Sequence, residues 1–245
     1  MNLNNLKKDP ALAAAAGGVL GLLLRSALYR SGFDDRGILS ASHPMHLACL
    51  TLTAAMALYL AVQVRKLPEQ SRDYPRIRKA LGLGAGCLLV MHAVTLLRQS
   101  LAPLDLLRCA LTGAAGIAMA LCALGTRHPA ACHGLVCAAF AADMLGRYRQ
   151  WSGNPQLPDY VFHVLAGVVL SLCAYQTLAL HTGLGRPKLQ KFWGLLGLFL
   201  CILCLSGPEP RAFYLSGGLW AAVCLLTIVP PAEEPSQEEE TNVPA

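Results

Sequence analysis

The sequence predicts an all-helical polytopic membrane protein, a bundle of about eight transmembrane helices packed as antiparallel hairpins. Apolar residues make up 55% of the 245-residue chain and charged residues only 14%, against about a quarter in a typical soluble domain. The apolar runs reach the roughly 20 residues that a helix needs to cross a bilayer. They recur along the chain and are separated by short segments that contain proline or glycine, which is typical of helical hairpins.

Eight candidate spans leave almost no sequence for a separate soluble domain, so residues 1–230 are predicted to form one membrane domain. In chain order the spans are 11–29, 44–64, 79–97, 103–125, 129–147, 160–182, 189–207 and 212–230. The segment 231–245 contains no basic residue and is rich in glutamate and proline. This composition predicts a disordered cytoplasmic tail.

Basic residues and prolines mark the ends of the first four spans. Lys7 and Lys8 precede the first span, which stays apolar for longer than the core of a signal peptide. It is therefore expected to be an uncleaved helix. The next three spans are bounded by Pro44 and Arg65, by Lys79 and Arg98, and by Pro103.

Among the last four spans, the fifth and the seventh are expected to be the weakest. The fifth begins among polar and helix-breaking residues at Pro129 and His133, and the seventh ends at Gly207 and Pro208. The sixth and eighth are continuous apolar runs. Loss of the fifth or the seventh would leave seven spans and would move the C-terminus to the outer side.

Basic residues also predict the orientation, since they favour the cytoplasmic side of a membrane. With the N-terminus inside, twelve of the twenty basic residues lie on the inner side, including every lysine, and the loop around residues 65–79 contributes six of them. The expected location is the cell membrane, with both termini in the cytoplasm. The formal charge of +6 is interpreted as attraction to anionic lipid headgroups, with no nucleic-acid partner.

Small residues inside the spans are interpreted as packing residues. The stretches Gly17-Gly18-x-x-Gly21, Gly82-x-Gly84-x-Gly86 and Gly113-x-x-Gly116 permit close helix contact. None follows a strand, which argues against a nucleotide-binding loop. The ten cysteines all fall in apolar runs, so they are expected to pack as small apolar residues, the pair Cys201 and Cys204 included.

Ionisable residues inside spans are costly and usually mark a functional site or a buried partner. In the predicted topology they gather at the outer ends of the first six spans: Arg25, His43, His46, His92, Asp105, Arg108, Asp143, Arg147, Asp159 and His163. Arg25 and His92 have no acid at helical spacing in their own spans. They therefore need a partner from another helix, and Asp105 and Asp143 are the candidates.

Two interpretations of this pattern stay open. Three acid–base pairs lie one turn apart, where both side chains share a helix face and can neutralise each other: Asp105 with Arg108, Asp143 with Arg147, and Asp159 with His163. In the other interpretation the basic side chains converge on an outward-facing vestibule that favours an anionic guest: Arg25, His92, Arg108, Arg147 and His163.

The second interpretation predicts a site for a small anionic or amphiphilic ligand, in a transporter-like or accessory membrane protein whose other partners are membrane lipids. One alternative is a membrane-embedded enzyme acting on a lipid-like substrate, with Asp143 or Asp105 as the acid or base beside His92. Another is a structural or assembly protein that docks through its acidic tail. The sequence favours no particular oligomeric state.

No metal or cofactor is predicted. His43 and His46 have the spacing of a ligand pair but lack an evident third ligand. Two pairs of histidines on different helices could in principle hold a haem: His92 with His163, and His133 with His181. Membrane cytochromes often carry ligand pairs about four turns apart on one helix, and this spacing does not occur in the chain.

Overall fold

A computed structural model describes residues 9–32, 43–67, 75–99, 102–151, 157–207 and 210–226. These residues form eight α-helices and no strand, which confirms the predicted all-helical bundle. The helices are α1 Pro10–Ser31, α2 Pro44–Lys66, α3 Pro75–Gln99, α4 Pro103–Leu124, α5 Pro129–Trp151, α6 Leu157–His181, α7 Pro187–Cys204 and α8 Arg211–Leu226. The predicted tail, residues 231–245, lies outside the described residues.

The helix ends follow from local sequence. Six helices begin with proline, whose fixed φ suits the first turn and whose missing N–H is not needed there. Asp9 caps α1 by accepting a hydrogen bond from the Ala11 N–H at 2.9 Å, and His43 Nδ1 accepts one from the Met45 N–H at 3.3 Å. α4 ends at Gly125, whose φ of 91° lies in the left-handed region that favours glycine.

Seven helices, α1 to α7, are long and apolar enough to cross a membrane, the composition of a multi-pass membrane protein. The two least apolar of the seven are α5 and α7, as expected from their polar ends. The described part of α8 has 16 residues and is therefore about 24 Å long. Trp220 and Tyr214 of this helix are fully buried, so α8 lies inside the bundle.

The arrangement of the helices is a ring with two helices outside it. Neighbours in sequence from α3 to α8 pack against each other, and α8 returns to pack against α3 and also contacts α6. α1 and α2 pack on the outer side of α7 and against one another. The ring encloses the core, and α7 joins it to the outer pair.

The glycine stretches lie where helices approach most closely. A Cβ atom added at Gly86 of α3 would lie 2.5 Å from the carbonyl oxygen of Gly116 on α4, and one at Gly18 of α1 would lie 2.9 Å from the side chain of Ile202 on α7. The cysteines are free thiols, with Cys201 and Cys204 buried in the core. These two glycines and the five buried cysteines therefore lie at packed positions, whereas Cys87 is exposed.

Candidate functional site

Polar side chains gather at one end of the bundle, here called the polar end. It is formed by the carboxyl-terminal ends of α1, α3, α5 and α7 and the amino-terminal ends of the other four helices. Six of the seven predicted site residues are buried there, each at most 6% exposed: Arg25, His92, Arg108, Asp143, Arg147 and His163. The seventh, Asp105, is partly exposed on α4. The buried six form two groups.

The first group, the Asp143 network, consists of His92, Arg108, Asp143 and Arg147. The Asp143 carboxylate accepts hydrogen bonds from Arg108 Nε at 2.8 Å and from Arg147 Nε at 2.6 Å, and Arg108 Nη2 lies 2.6 Å away. His92 Nε2 is 3.4 Å from Arg147 Nη2 and 3.7 Å from the carboxylate. Such charge-assisted bonds offset the cost of burying these ions.

Gly146 allows Arg108 to reach Asp143 from the neighbouring helix. A Cβ atom at this position of α5 would lie 2.9 Å from Arg108 Cδ and 3.3 Å from its Nε and Nη1 atoms. The Arg108 side chain therefore crosses the surface of α5 at a point where any larger residue would displace it.

The second group, the His163 network, consists of Arg25, Tyr29, His163 and Tyr214. Arg25 Nη2 lies 2.7 Å from His163 Nε2 and donates to the Tyr29 hydroxyl at 2.9 Å. Because a guanidinium has no acceptor, His163 Nε2 must accept, and the imidazole proton is on Nδ1. Nδ1 then donates to the Tyr214 hydroxyl, 2.5 Å away. The chain links α1, α6 and α8.

Gly207 creates the space in which α1 meets α6. This residue follows the end of α7, and a Cβ atom added to it would lie 3.0 Å from the His163 ring and 3.4 Å from the Tyr29 hydroxyl. α7 otherwise separates these two helices. Arg25 and His163 therefore meet just beyond the end of α7.

Aromatic rings lie against the buried guanidinium groups. Arg147 lies 4.8 Å above the Phe213 ring centre and 5.8 Å from that of Tyr214, while Arg25 lies 5.4 Å from Phe162. These distances are those of cation–π contacts, which stabilise a desolvated cation. Phe213 and Tyr214 are adjacent on α8 and connect the Asp143 network with the His163 network.

The contribution of α8 is absent from the sequence prediction, which considered only ionisable groups within the spans. A tyrosine hydroxyl and an aromatic face are invisible to that criterion. Their position in the sequence was the signal that could have identified them. Phe213 and Tyr214 begin an apolar run at the end of the last span that was predicted to lie on the same side as the charged residues. Gly146 and Gly207 carry no comparable sequence signal, since they act by leaving space.

The three pairs predicted within single helices have different outcomes. Asp143 and Arg147 form the predicted ion pair. Asp105 makes no ion pair or hydrogen bond with any described residue, because Arg108 turns to Asp143 instead. The Asp159 side chain lies outside the described residues, and His163 contacts Arg25 and Tyr214.

A cavity of about 770 Å³ opens between α4 and α5 at the polar end. We call it the α4–α5 groove. Its walls combine polar and apolar side chains, with Leu104, Leu107 and Leu145 more than half exposed. The full lining is Ala102, Pro103, Leu104, Asp105, Leu107, Arg108, Ala142, Leu145, Gly146, Arg149 and Gln150.

The five basic residues predicted to line an open vestibule are thus buried in two networks, and this groove is an open space beside one of them. Of those five, only Arg108 lines the groove. The others face protein partners on neighbouring helices. The polar groups that line the groove are therefore the guanidinium groups of Arg108 and Arg149, the Asp105 carboxylate and the Gln150 amide, beside an apolar wall.

Six of the seven histidines contact other described residues through their rings, and the described part of the chain contains no group of three metal-ligating residues. His43 caps α2, and His46 packs edge-on against Phe162 at 5.8 Å. His133 and His181 stack directly on each other, with ring centres 5.1 Å apart and planes within 19°. Stacked rings cannot point their nitrogens at an iron between them, so this pair does not fit axial haem ligation.

No protein-family model, curated protein or solved structure gives a significant match to this chain.

Proposed function

We propose that this protein binds the phosphate or carboxylate in the headgroup of a membrane amphiphile in the α4–α5 groove and acts as a lipid-binding, transporter-like or accessory protein of the cell membrane. In the proposed orientation both termini are cytoplasmic and the groove opens to the outer leaflet, as the distribution of basic residues favours. The observation that carries the proposal is the position of Arg108, between a buried carboxylate and an open groove.

Arg108 can bind Asp143 and a ligand in the groove at the same time. It uses Nε and Nη2 for Asp143, and Nη1 makes no hydrogen bond with any described residue. Asp143 holds the guanidinium in a fixed position, which lowers the entropic cost of binding a ligand. Arginine presents donors in a geometry suited to phosphate or carboxylate oxygens.

The groove is lined by both apolar and charged side chains, which suits an amphiphilic ligand. Leu104, Leu107 and Leu145 are exposed along it, where acyl chains can lie. Arg149 and Gln150, both exposed, stand at the polar end near the close of α5. A ligand with an apolar body and a charged head would match this mixture of side chains without burying an unpaired charge.

The geometry gives less support to an enzyme that uses Asp143 as its acid or base. Both carboxylate oxygens are engaged by guanidinium groups, and the side chain is only 1% exposed. A general base must reach the proton that it removes. Asp143 is better suited to positioning Arg108 than to contacting a substrate.

Native mass spectrometry of the purified protein with added phosphatidylglycerol or phosphatidylethanolamine tests the proposal. Arg108→Gln is expected to lower the affinity for both lipids about tenfold, the usual effect of losing one charge-assisted bond. Arg98→Gln is the matched control, because Arg98 is exposed at the end of neighbouring α3 and does not line the groove.

A second variant leaves the buried network intact. Leu107→Trp fills the groove from its apolar wall and should also reduce binding of both lipids, whereas Leu97→Trp, an exposed site on α3, should not. Wild-type affinity in both Arg108→Gln and Leu107→Trp would overturn the proposed function.

A further inference from the structure

Resting on the proposed function, we infer that the preferred ligand carries a primary ammonium group beside its phosphate, as phosphatidylethanolamine does. Arg108 contacts the phosphate and Asp105 the ammonium. The inference depends on Asp105, the one predicted site residue that joins neither buried network.

Asp105 is a carboxylate left without a counter-charge in the described part of the protein. It lines the groove together with Arg108 and Arg149, yet it forms no ion pair with either of them. The N-cap residue of α4 is Ala102, whose side chain makes no capping bond, and Asp105 accepts no hydrogen bond from the described residues of the first turn. Its oxygens therefore remain available to a ligand.

Favourable interaction with the helix dipole is the simplest role for an acid in a first turn. That role explains why an acid is tolerated at this position, but it needs no basic residue nearby. The arrangement in the groove is more specific, because the acid stands one turn from Arg108, which is held by another acid. A carboxylate and a guanidinium are thereby presented side by side without neutralising each other.

The order of the two charges along α4 matches the order of charges in such a lipid. Asp105 is the third residue of the helix and Arg108 the sixth, so Arg108 lies about 4.5 Å deeper along the helix axis. In a phospholipid the phosphate follows the acyl chains and the headgroup amine lies further out. With the acyl chains extending inward from Arg108, the phosphate lies at Arg108 and the ammonium lies toward Asp105.

Charge complementarity also selects among headgroups. A primary ammonium can donate hydrogen bonds to a carboxylate, which adds to the Coulomb attraction. The quaternary ammonium of phosphatidylcholine has no N–H to donate, and the glycerol of phosphatidylglycerol has no positive charge. The site should therefore bind phosphatidylethanolamine more tightly than either.

Competition between the three phospholipids, with identical acyl chains and detected by native mass spectrometry, tests this inference. The wild-type protein is expected to prefer phosphatidylethanolamine over phosphatidylglycerol by about tenfold and over phosphatidylcholine by a smaller factor. Asp105→Asn should abolish the preference while leaving phosphatidylglycerol binding intact or improved. Asp9→Asn is the matched control, since Asp9 is an exposed helix cap at the opposite end and asparagine caps equally well.

Equal affinities in the wild type, or an unchanged preference in Asp105→Asn, would overturn the inference. That result would leave the proposed function standing as long as Arg108→Gln still weakens binding of all three lipids. Insensitivity of all binding to both Arg108→Gln and Leu107→Trp would instead remove the proposed function itself.

Discussion

Two buried histidines at opposite ends of the bundle differ in the partners that their ring nitrogens have. His163, at the polar end, lies within hydrogen-bonding distance of Arg25 and Tyr214 through its two ring nitrogens. His133, at the other end, stacks on His181 and on Trp220, and its Nδ1 has no hydrogen-bond partner among the described residues. One histidine belongs to a polar network and the other to an aromatic stack.

The same contrast holds for charge. The only buried carboxylate among the described residues is Asp143, at the polar end, where it is held by two guanidinium groups. Burial of an ion is tolerated when its partners supply charge-assisted bonds. The polar end can therefore hold charge in place for a ligand, while the opposite end buries Lys191 and Gln190 beside apolar and aromatic side chains and no described carboxylate. Three substitutions test this difference in stability.

The largest effect is expected from Asp143→Asn, which removes the carboxylate that pairs with Arg108 and Arg147. The change is nearly isosteric, but it leaves two guanidinium groups buried without their shared counter-charge. We expect a loss of about 3 kcal/mol in the free energy of unfolding, measured by thermal unfolding in detergent. Asp105→Asn, on neighbouring α4 and in no ion pair with a described residue, should change stability little. Equal melting temperatures of the two variants would contradict the role assigned to Asp143.

An intermediate effect is expected from Tyr214→Phe, which removes the hydroxyl beside His163 Nδ1 and keeps the aromatic packing. Hydrogen bonds between membrane helices contribute modestly, so the expected loss is about 1 kcal/mol. Tyr175→Phe is the control, since Tyr175 is 52% exposed on α6. If the Tyr214 variant is no less stable than the control, the His163 network does not hold α6 to α8.

The smallest effect is expected from His133→Leu at the opposite end. Because this histidine leaves a ring nitrogen unsatisfied, its replacement by an apolar side chain of similar size should change the free energy of unfolding by less than about 1 kcal/mol. His163→Leu should cost more, because it leaves Arg25 and Tyr214 without the imidazole. Similar melting temperatures for the two variants would remove the distinction between the ends.

The fold was predictable because bilayer-length apolar runs determine the helices one by one. The polar end was predictable because alternating helix directions bring the ends of successive spans together, as with His92 and Asp143. The partner of Arg108 was not predictable. Spacing places Asp105 on the same helix face, and the choice of Asp143 depends on how α4 is rotated against α5 and on the space left by Gly146.

The groove likewise could not be predicted from the sequence. It exists because the side chains of two adjacent helices leave space between them. The spacing of apolar residues along either helix does not indicate that space. The prediction of a small anionic or amphiphilic ligand came from the excess of basic residues. What the structure adds is the distinction between Arg108, which reaches the groove, and Arg147, which is enclosed by Asp143, His92 and Phe213.

The His163 network has a consequence for biogenesis. Arg25 and His163 are separated by 138 residues, and His163 and Tyr214 by a further 51. Since the amino-terminal part of a chain is made first, the first helix carries its arginine into the membrane long before the sixth and eighth helices emerge from the ribosome. The Asp143 network can assemble once the third, fourth and fifth helices have inserted, whereas the contact between Arg25 and α8 through His163 is completed only after the eighth helix has been made.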